Sequence, residues 1–303
     1  MGKLKFLVSL ITRDNDYQLE QAHAAQMAAH SAGVDVDIIY AENDRITQST
    51  QILKRIQAPP GDRPSAVIFE PVGGTALPQV ARAAVNAGIG WAVLSQEPAY
   101  IRELRQASPV PVFGVGSDQI EVGRISGNQC AALLPQGGSI LYIEGPSQSE
   151  TARQREIGMQ KTISKEIRLT VLKGQWTEDS ARKCVSAWLK LSTSQKAMID
   201  LVVAQNDAMA VGTRKAFQQI VSPQDRERWA SIRLLGCDGV PKTGQAWVKS
   251  GLLTATILIP PNAGQAVEFM ADALVNGRPP PPRVLAPVAS IPPIECLRAL
   301  NKS

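Results

Sequence analysis

Leu201-Val202-Val203-Ala204-Gln205-Asn206-Asp207-Ala208-Met209-Ala210-Val211-Gly212 holds the pattern on which the fold turns. Four apolar residues with two adjacent valines read as a short strand buried on both faces, and from 208 to 220 the apolar positions recur at helical spacing. The residues between, Gln205, Asn206 and Asp207, stand at the carboxyl end of the strand and open the helix, where an Asn or Asp side chain caps the first turn. A short buried strand leading directly into a helix is the first half of a βαβ unit.

The same alternation runs outward in both directions. Strands are predicted at 4–11, 34–40, 66–70, 91–95 and 112–115, with helices at 17–32, 44–56 and 77–87. The pattern then restarts, with strands at 139–143, 169–172, 201–204, 232–237 and 253–258 and helices at 119–134, 151–167, 180–191, 208–220 and 244–249. Ten such strands overfill one open sheet, and 303 residues exceed what one core usually organises, so two doubly wound α/β lobes with parallel sheets are expected. Gly114-Val115-Gly116-Ser117-Asp118 is the expected first crossing between them. Pro260-Pro261 ends the late strand, a helix follows at 263–275, and four prolines at 279–282 form an extended spacer before a short final strand. The lobes are expected at 1–117 plus 260–288 and at 118–259 plus 289–303.

Composition excludes several classes. Hydrophobic residues make up 44% and charged residues 19%, which rules out a disordered chain. The net charge of +5 is spread along the sequence rather than gathered in a stripe, so no nucleic-acid partner is expected. No apolar run reaches the roughly 20 residues of a membrane span, so no membrane insertion is expected. The apolar start at 6–11 is too short for a secretory core and reads as a buried first strand. Cys130, Cys184, Cys237 and Cys296 are widely spaced with no CxxC pair, and reduced, buried thiols are expected.

Ligands of open α/β sheets bind beyond the carboxyl ends of the strands. The residues there are Asn15, Tyr17 and Gln18 after the first strand, Glu70 after the third, and Ser95 and Gln96 after the fourth. The second half supplies Glu144, Trp176, Asn206, Asp207 and Asp238, with Arg153 and Arg155 near a helix start. Amides, carboxylates and a guanidinium beside aromatic rings suit a polyhydroxylated ligand, whose hydroxyls need donors and acceptors and whose C–H face needs a flat apolar plate. Each residue also has a plainer reading: Asn206 as a helix cap, Asp238-Gly239 as a turn, the arginines as solvated charges. Their joint placement at strand ends favours binding.

Catalytic machinery is not visible. His23 and His30 lie seven apart on one helix, away from any strand end, and read as surface residues. No GxSxG, HExxH or GxxxxGK[ST] occurs, and Gly114-Val115-Gly116 lacks the third glycine of a dinucleotide fingerprint. No catalytic residue, metal site or cofactor is expected.

The segments Ala204 to Gly212 (AQNDAMAVG), Leu235-Gly236-Cys237-Asp238-Gly239 and Leu252 to Ile257 (LLTATI) resemble the second half of the ribose-type periplasmic sugar-binding proteins, whose fold is shared by the ligand domains of LacI-type repressors. The similarity continues in Asn15-Asp16-Tyr17-Gln18, in Thr151 to Met159 (TARQREIGM) and in Ser117-Asp118. It implies two Rossmann-like lobes joined by three crossings and closing on a ligand. Carried over by position, it implies contacts from Asn15, Tyr17, Gln18, Glu70, Ser95, Gln96, Arg155, Trp176, Asn206, Asp238 and Ile259. Ser95-Gln96 replaces the family's Asp-Arg pair, Ile259 replaces a Gln, Gln18 replaces an aromatic and Glu70 replaces an amide. The resemblance therefore implies a neutral or zwitterionic sugar-like ligand, less densely hydroxylated or larger than a free pentose.

The expected function is non-catalytic solute binding for an ABC-type importer, by a monomer with an ABC permease as partner. The alternative is a stand-alone or receptor-associated ligand-sensing domain of the same fold. A complete repressor would need a DNA-binding segment of about sixty residues ahead of the first strand. A periplasmic location is expected if an export signal was trimmed ahead of Met1, and a cytoplasmic one if Met1 is the native start.

Overall fold

Strand β1 (Lys5–Leu10) is buried at every position except Lys5, on both of its faces. Phe6, Val8 and Leu10 point to a layer formed by the helices Asp16–Ala32 and Ala263–Asn276, and Leu7 points to a layer formed by the helices Arg45–Ile56 and Pro78–Asn86. A strand covered on both sides is a continuous apolar run, which is why the alternation of a half-exposed strand is absent here. The computed structural model describes residues 3–73, 76–96, 98–195 and 197–300.

The chain forms two compact units: one takes in the chain to Arg13, Tyr17–Ser117 and Pro261–Ala286, and the other Asp14–Asp16, Asp118–Pro260 and the chain from Pro287. In the first, β1 is joined by β2 (Asp35–Tyr40), β3 (Ala66–Phe69), β4 (Gly90–Leu94) and β5 (Val112–Ser117). The second holds β6 (Gly138–Glu144), β7 (Ile167–Lys173), β8 (Leu201–Ala204), β9 (Arg233–Leu235) and β10 (Thr256–Leu258). Two late strands follow: β11 (Arg283–Ala286) in the first unit and β12 (Ala289–Ile291) in the second.

The first sheet runs β11-β5-β4-β3-β1-β2 and the second β7-β6-β8-β9, and every pairing in both is parallel. Both sheets reverse their order of winding beside the first strand of the unit, between β1 and β3 and between β6 and β8. Such a switch point leaves a crevice at the carboxyl ends of its two strands.

The fold class is the expected one, with differences in detail. β10 leaves the second parallel sheet after two bridges, Leu235 to Ala255 and Asp238 to Leu258, and pairs antiparallel with β12. The helix predicted at 151–167 is Glu150–Gln160, because a turn at 161–164 precedes β7. The segment 244–249 is split into a π-helical turn, Pro241–Gln245, and a short helix, Ala246–Lys249. The helices Tyr100–Ala107, Ser192–Gln195, Pro223–Ala230 and Ile294–Ala299 were not expected; they run only four to eight residues, too few for a helical period to stand out. The expected burial of the thiols holds for Cys130 and Cys237, whereas Cys184 is half-buried and Cys296 is exposed on the last helix. Residues 1–2 and 301–303 of the expected lobes lie outside the described residues.

Candidate ligand-binding site

At the first switch point Glu70, the residue after β3, is buried among side-chain donors. Its carboxylate accepts from Gln18 Nε2 at 2.8 Å, Gln21 Nε2 at 3.3 Å and Ser95 Oγ at 2.8 Å. Gln18 and Gln21 are three residues apart on one face of the helix following β1, and Gln18 Oε1 also accepts from the Ile11 amide, so the helix start is tied to the strand end. The carbonyl of Glu70 and the amide of Val72 are both held by Gln48, which fixes the segment leaving β3. Ser95 adopts a left-handed backbone, φ 63°, and this turns its hydroxyl toward the carboxylate.

Gln21 is completely buried and was missed by sequence reasoning. Its Oε1 accepts from the amides of Asn262 and Ala263, capping the helix Ala263–Asn276, while its Nε2 also reaches Asn262 Oδ1 at 3.0 Å. Its position three after Gln18 is the signal that could have found it. Tyr17 is buried beside this network, with its hydroxyl 3.5 Å from Gln21 Nε2, and Gln96 is half-buried at the end of β4.

In the second unit the strand ends gather a guanidinium, an indole, an amide and a carboxylate. Arg155, on the helix Glu150–Gln160, is 7% exposed; its Nε donates to Gln119 Oε1 at 2.9 Å and its Nη1 to the Gln205 carbonyl. Its Cζ lies 5.6 Å from the ring centre of Trp176, within cation–π range, and its Nη2 is 4.0 Å from Asp238 Oδ1. Gln205 in turn accepts from the Gly145 amide at 2.9 Å and donates to Tyr142 Oη at 2.6 Å, bridging the two strands of the switch point.

Asn206 caps a helix and ties the segment that carries Trp176. Its Oδ1 accepts from the Met209 amide and caps the helix Asp207–Gln218, and its Nδ2 donates to the Trp176 carbonyl at 2.9 Å. Asn15, which belongs with this unit, donates to the same carbonyl at 2.8 Å. Trp176 has φ 64° and its ring lies against Gly145, where an added Cβ would stand 2.3 Å from a ring carbon. Asp238 has φ 115°, a conformation side chains rarely adopt, and strain of this kind collects at functional sites. Ile259 is buried beside it, with its amide donating to the Asp238 carbonyl at 3.0 Å.

Other residues take plainer places. Arg153 is exposed and paired with Glu150 at 2.5 Å, Glu144 is paired with Lys173, and His23 and His30 are exposed. Among the described residues no group of three or more His, Cys, Asp or Glu could hold a metal ion, and no helix is long and apolar enough to cross a membrane.

Two parallel doubly wound units, each presenting a polar cluster at its own switch point, are the architecture of the type I periplasmic binding proteins. The chain belongs to the periplasmic binding protein domain family, which it matches over residues 6–279. It is 24% identical over 279 residues to the ribose import binding protein of Salmonella typhimurium strain LT2, a match spanning 91% of this chain and 86% of that one. It is 28% identical over 261 residues to a xylitol-binding protein of Mycolicibacterium smegmatis, covering 83% of this chain and 67% of that one. Among solved structures, an ABC transporter periplasmic solute-binding protein from Actinobacillus succinogenes with bound D-allose superposes with a TM-score of 0.79 at 20% identity, covering 99% of this chain and all of the other (100%).

Proposed function

We propose that this protein binds a sugar or a polyol-like polar molecule without altering it and delivers it to an ABC-type importer, acting as a monomer outside the cytoplasmic membrane. The observation that carries the reading is the set of buried Arg155, Asn206 and Asp238 and half-buried Trp176 at the strand ends of the second unit. A guanidinium beside an indole offers hydroxyl donors next to a flat apolar face, and the carboxylate and amide supply complementary polarity. The family membership and the sugar- and polyol-binding relatives support the same class of ligand. In the first unit Glu70 is the main acceptor, with Tyr17, Gln18, Ser95 and Gln96 as further candidate contacts, and in the second Asn15 is a further polar contact and Ile259 an apolar one. A carboxylate at Glu70 disfavours an anionic ligand, so the reading favours a neutral or zwitterionic one.

The test is a thermal-shift panel of D-ribose, D-allose, xylitol, myo-inositol, deoxy sugars and nucleosides, followed by calorimetry, since a ligand that binds only the folded state raises Tm. Small-angle scattering of the best binder's complex should show compaction of the chain, and the recovered ligand should be unchanged. Absence of any shift across the panel, or recovery of a chemically altered molecule, overturns the reading.

A further inference from the structure

Asp207 is the charged residue of this cluster whose surroundings are the most demanding. It is buried, at the first position of the helix Asp207–Gln218, and three segments converge on it. Its Oδ2 accepts from the Gly239 amide at 2.8 Å, its Oδ1 accepts from Thr256 Oγ1 of β10 at 2.6 Å, and its own amide donates to the Cys237 carbonyl at 2.6 Å. Two glycines make room for the carboxylate: a Cβ on Gly236 or on Gly244 would stand 2.0 Å from one of its oxygens. The loop held in this way is the one that carries Asp238 at φ 115°, and β10, on which the other bond lands, accepts the Asp238 amide through Ile257 and runs on to Ile259. Neither bond is needed to cap the helix, because Asn206 does that.

We propose that Asp207 is a positioning residue for ligand binding: by gripping the Gly239 amide and the Thr256 hydroxyl together, it holds the strained backbone of Asp238 in the conformation that presents its carboxylate to the ligand. The inference rests on the binding function proposed above. A carboxylate makes stronger hydrogen bonds when ionised, so the grip on Gly239 depends on the protonation of Asp207. Burial is the largest influence on it and raises its pKa to about 7; the Asp16 charge acts in the same direction, and the bonds from Thr256 and Gly239 and the charge of Arg155 act against it. Cys237 and Asp238 are the other titratable groups beside it, the former held neutral by burial; Lys242, on the turn that contains Gly244, is exposed. Ligand affinity should therefore rise as pH passes upward through neutrality.

Asp207→Asn is the decisive variant, since its amide can accept from Gly239 and donate to Thr256 as a neutral aspartic acid would. The probe is whichever of D-ribose, D-allose, xylitol and myo-inositol binds the wild type most tightly, measured by calorimetry from pH 6 to pH 8. The wild type should tighten several-fold over that range, while the variant stays at the low-pH affinity throughout. Without any ligand, the Gly239 amide resonance should titrate in the wild type and not in Asp207→Asn. Thr256→Val, which removes a bond favouring the ionised form, should move the midpoint of that titration upward, a response that a merely structural role would not give. Wild-type affinity and pH response in Asp207→Asn, or a Gly239 amide indifferent to pH, overturns the inference. If none of the four sugars binds the wild type, the proposed ligand class fails, while the Gly239 titration still decides whether Asp207 controls the loop.

Discussion

The guanidinium carbon of Arg155 lies 5.6 Å from the ring centre of Trp176, and the same guanidinium is pinned by the Gln119 side chain and the Gln205 carbonyl. Lysine keeps the charge but loses the planar fork that meets both acceptors and faces the indole. Arg155→Lys should weaken ligand binding by about 10- to 100-fold, in line with roughly 1.5–3 kcal/mol for hydrogen bonds to a charged group. Calorimetry measures the loss, and unchanged affinity would place the ligand away from Arg155.

Asn206 and Asp238 separate binding from folding. Asp238→Asn keeps the shape of the side chain and replaces a charged acceptor with a neutral one, so affinity should fall at least tenfold with stability within about 1 kcal/mol of wild type. Asn206→Asp keeps the cap on Met209 but loses the amide donor to Trp176, whereas Asn206→Ala also loses the cap, at about 1 kcal/mol. Urea denaturation should therefore order the two Asn206 variants while calorimetry shows both binding poorly.

Gly145 leaves the space that the Trp176 ring occupies, since a Cβ there would stand 2.3 Å from it. Gly145→Ala should displace the ring and weaken binding. In Trp176→Ala the same change should have little further effect, and a double-mutant cycle measures that coupling. Independent, additive losses would show that the ring is not the element displaced.

Glu70 accepts from Gln18, Gln21 and Ser95 at once. Glu70→Ala takes that acceptor from all three; Gln21 keeps Asn262 Oδ1, and a buried donor that loses its acceptor costs about 1–3 kcal/mol. The variant should melt several degrees below wild type, and Glu70→Gln, which restores an acceptor oxygen, should recover part of the difference in a calorimetric scan.

Asp207 has a second pH signature, opposite in sign to its effect on affinity. Its folded pKa, about 7, stands above its ordinary value of 3.8, so between those values the folded state binds more protons than the unfolded state. Its contribution to stability is therefore fully present below about pH 4 and is lost as pH rises through about 7. Relative to wild type, Asp207→Asn should gain stability as pH climbs across that window; a parallel pH dependence of the two proteins in urea denaturation would contradict the raised pKa.

Much of this protein could be read along the chain. β1, β3, β4 and β8 announce themselves as short apolar runs because burial on both faces leaves almost no polar position to interrupt them, the buried Ser9 of β1 apart, and the strand-end residues followed from where each run stopped. Asn206 was legible as a cap because capping is a local event spanning three residues. The shortest helices and the departure of β10 from the parallel sheet were not, since four to eight residues are too few to show a period and a change of strand partner leaves no mark on it.

What the sequence determined by itself is the alternation of buried strands with helices, hence the parallel doubly wound class, and the list of polar residues left at the strand ends. The tertiary structure decided the order of the strands, and with it which members of that list meet. Glu70 faces Gln18, 52 residues away in sequence, because β1 and β3 lie side by side. Gln21 reaches Asn262 across 241 residues, and Asp207 reaches Thr256 across 49, through packing that no local pattern encodes. Hydrophobic periodicity is written in neighbouring residues and survives any arrangement of the strands, whereas a hydrogen bond between distant side chains exists only once the sheet order has brought their backbones together.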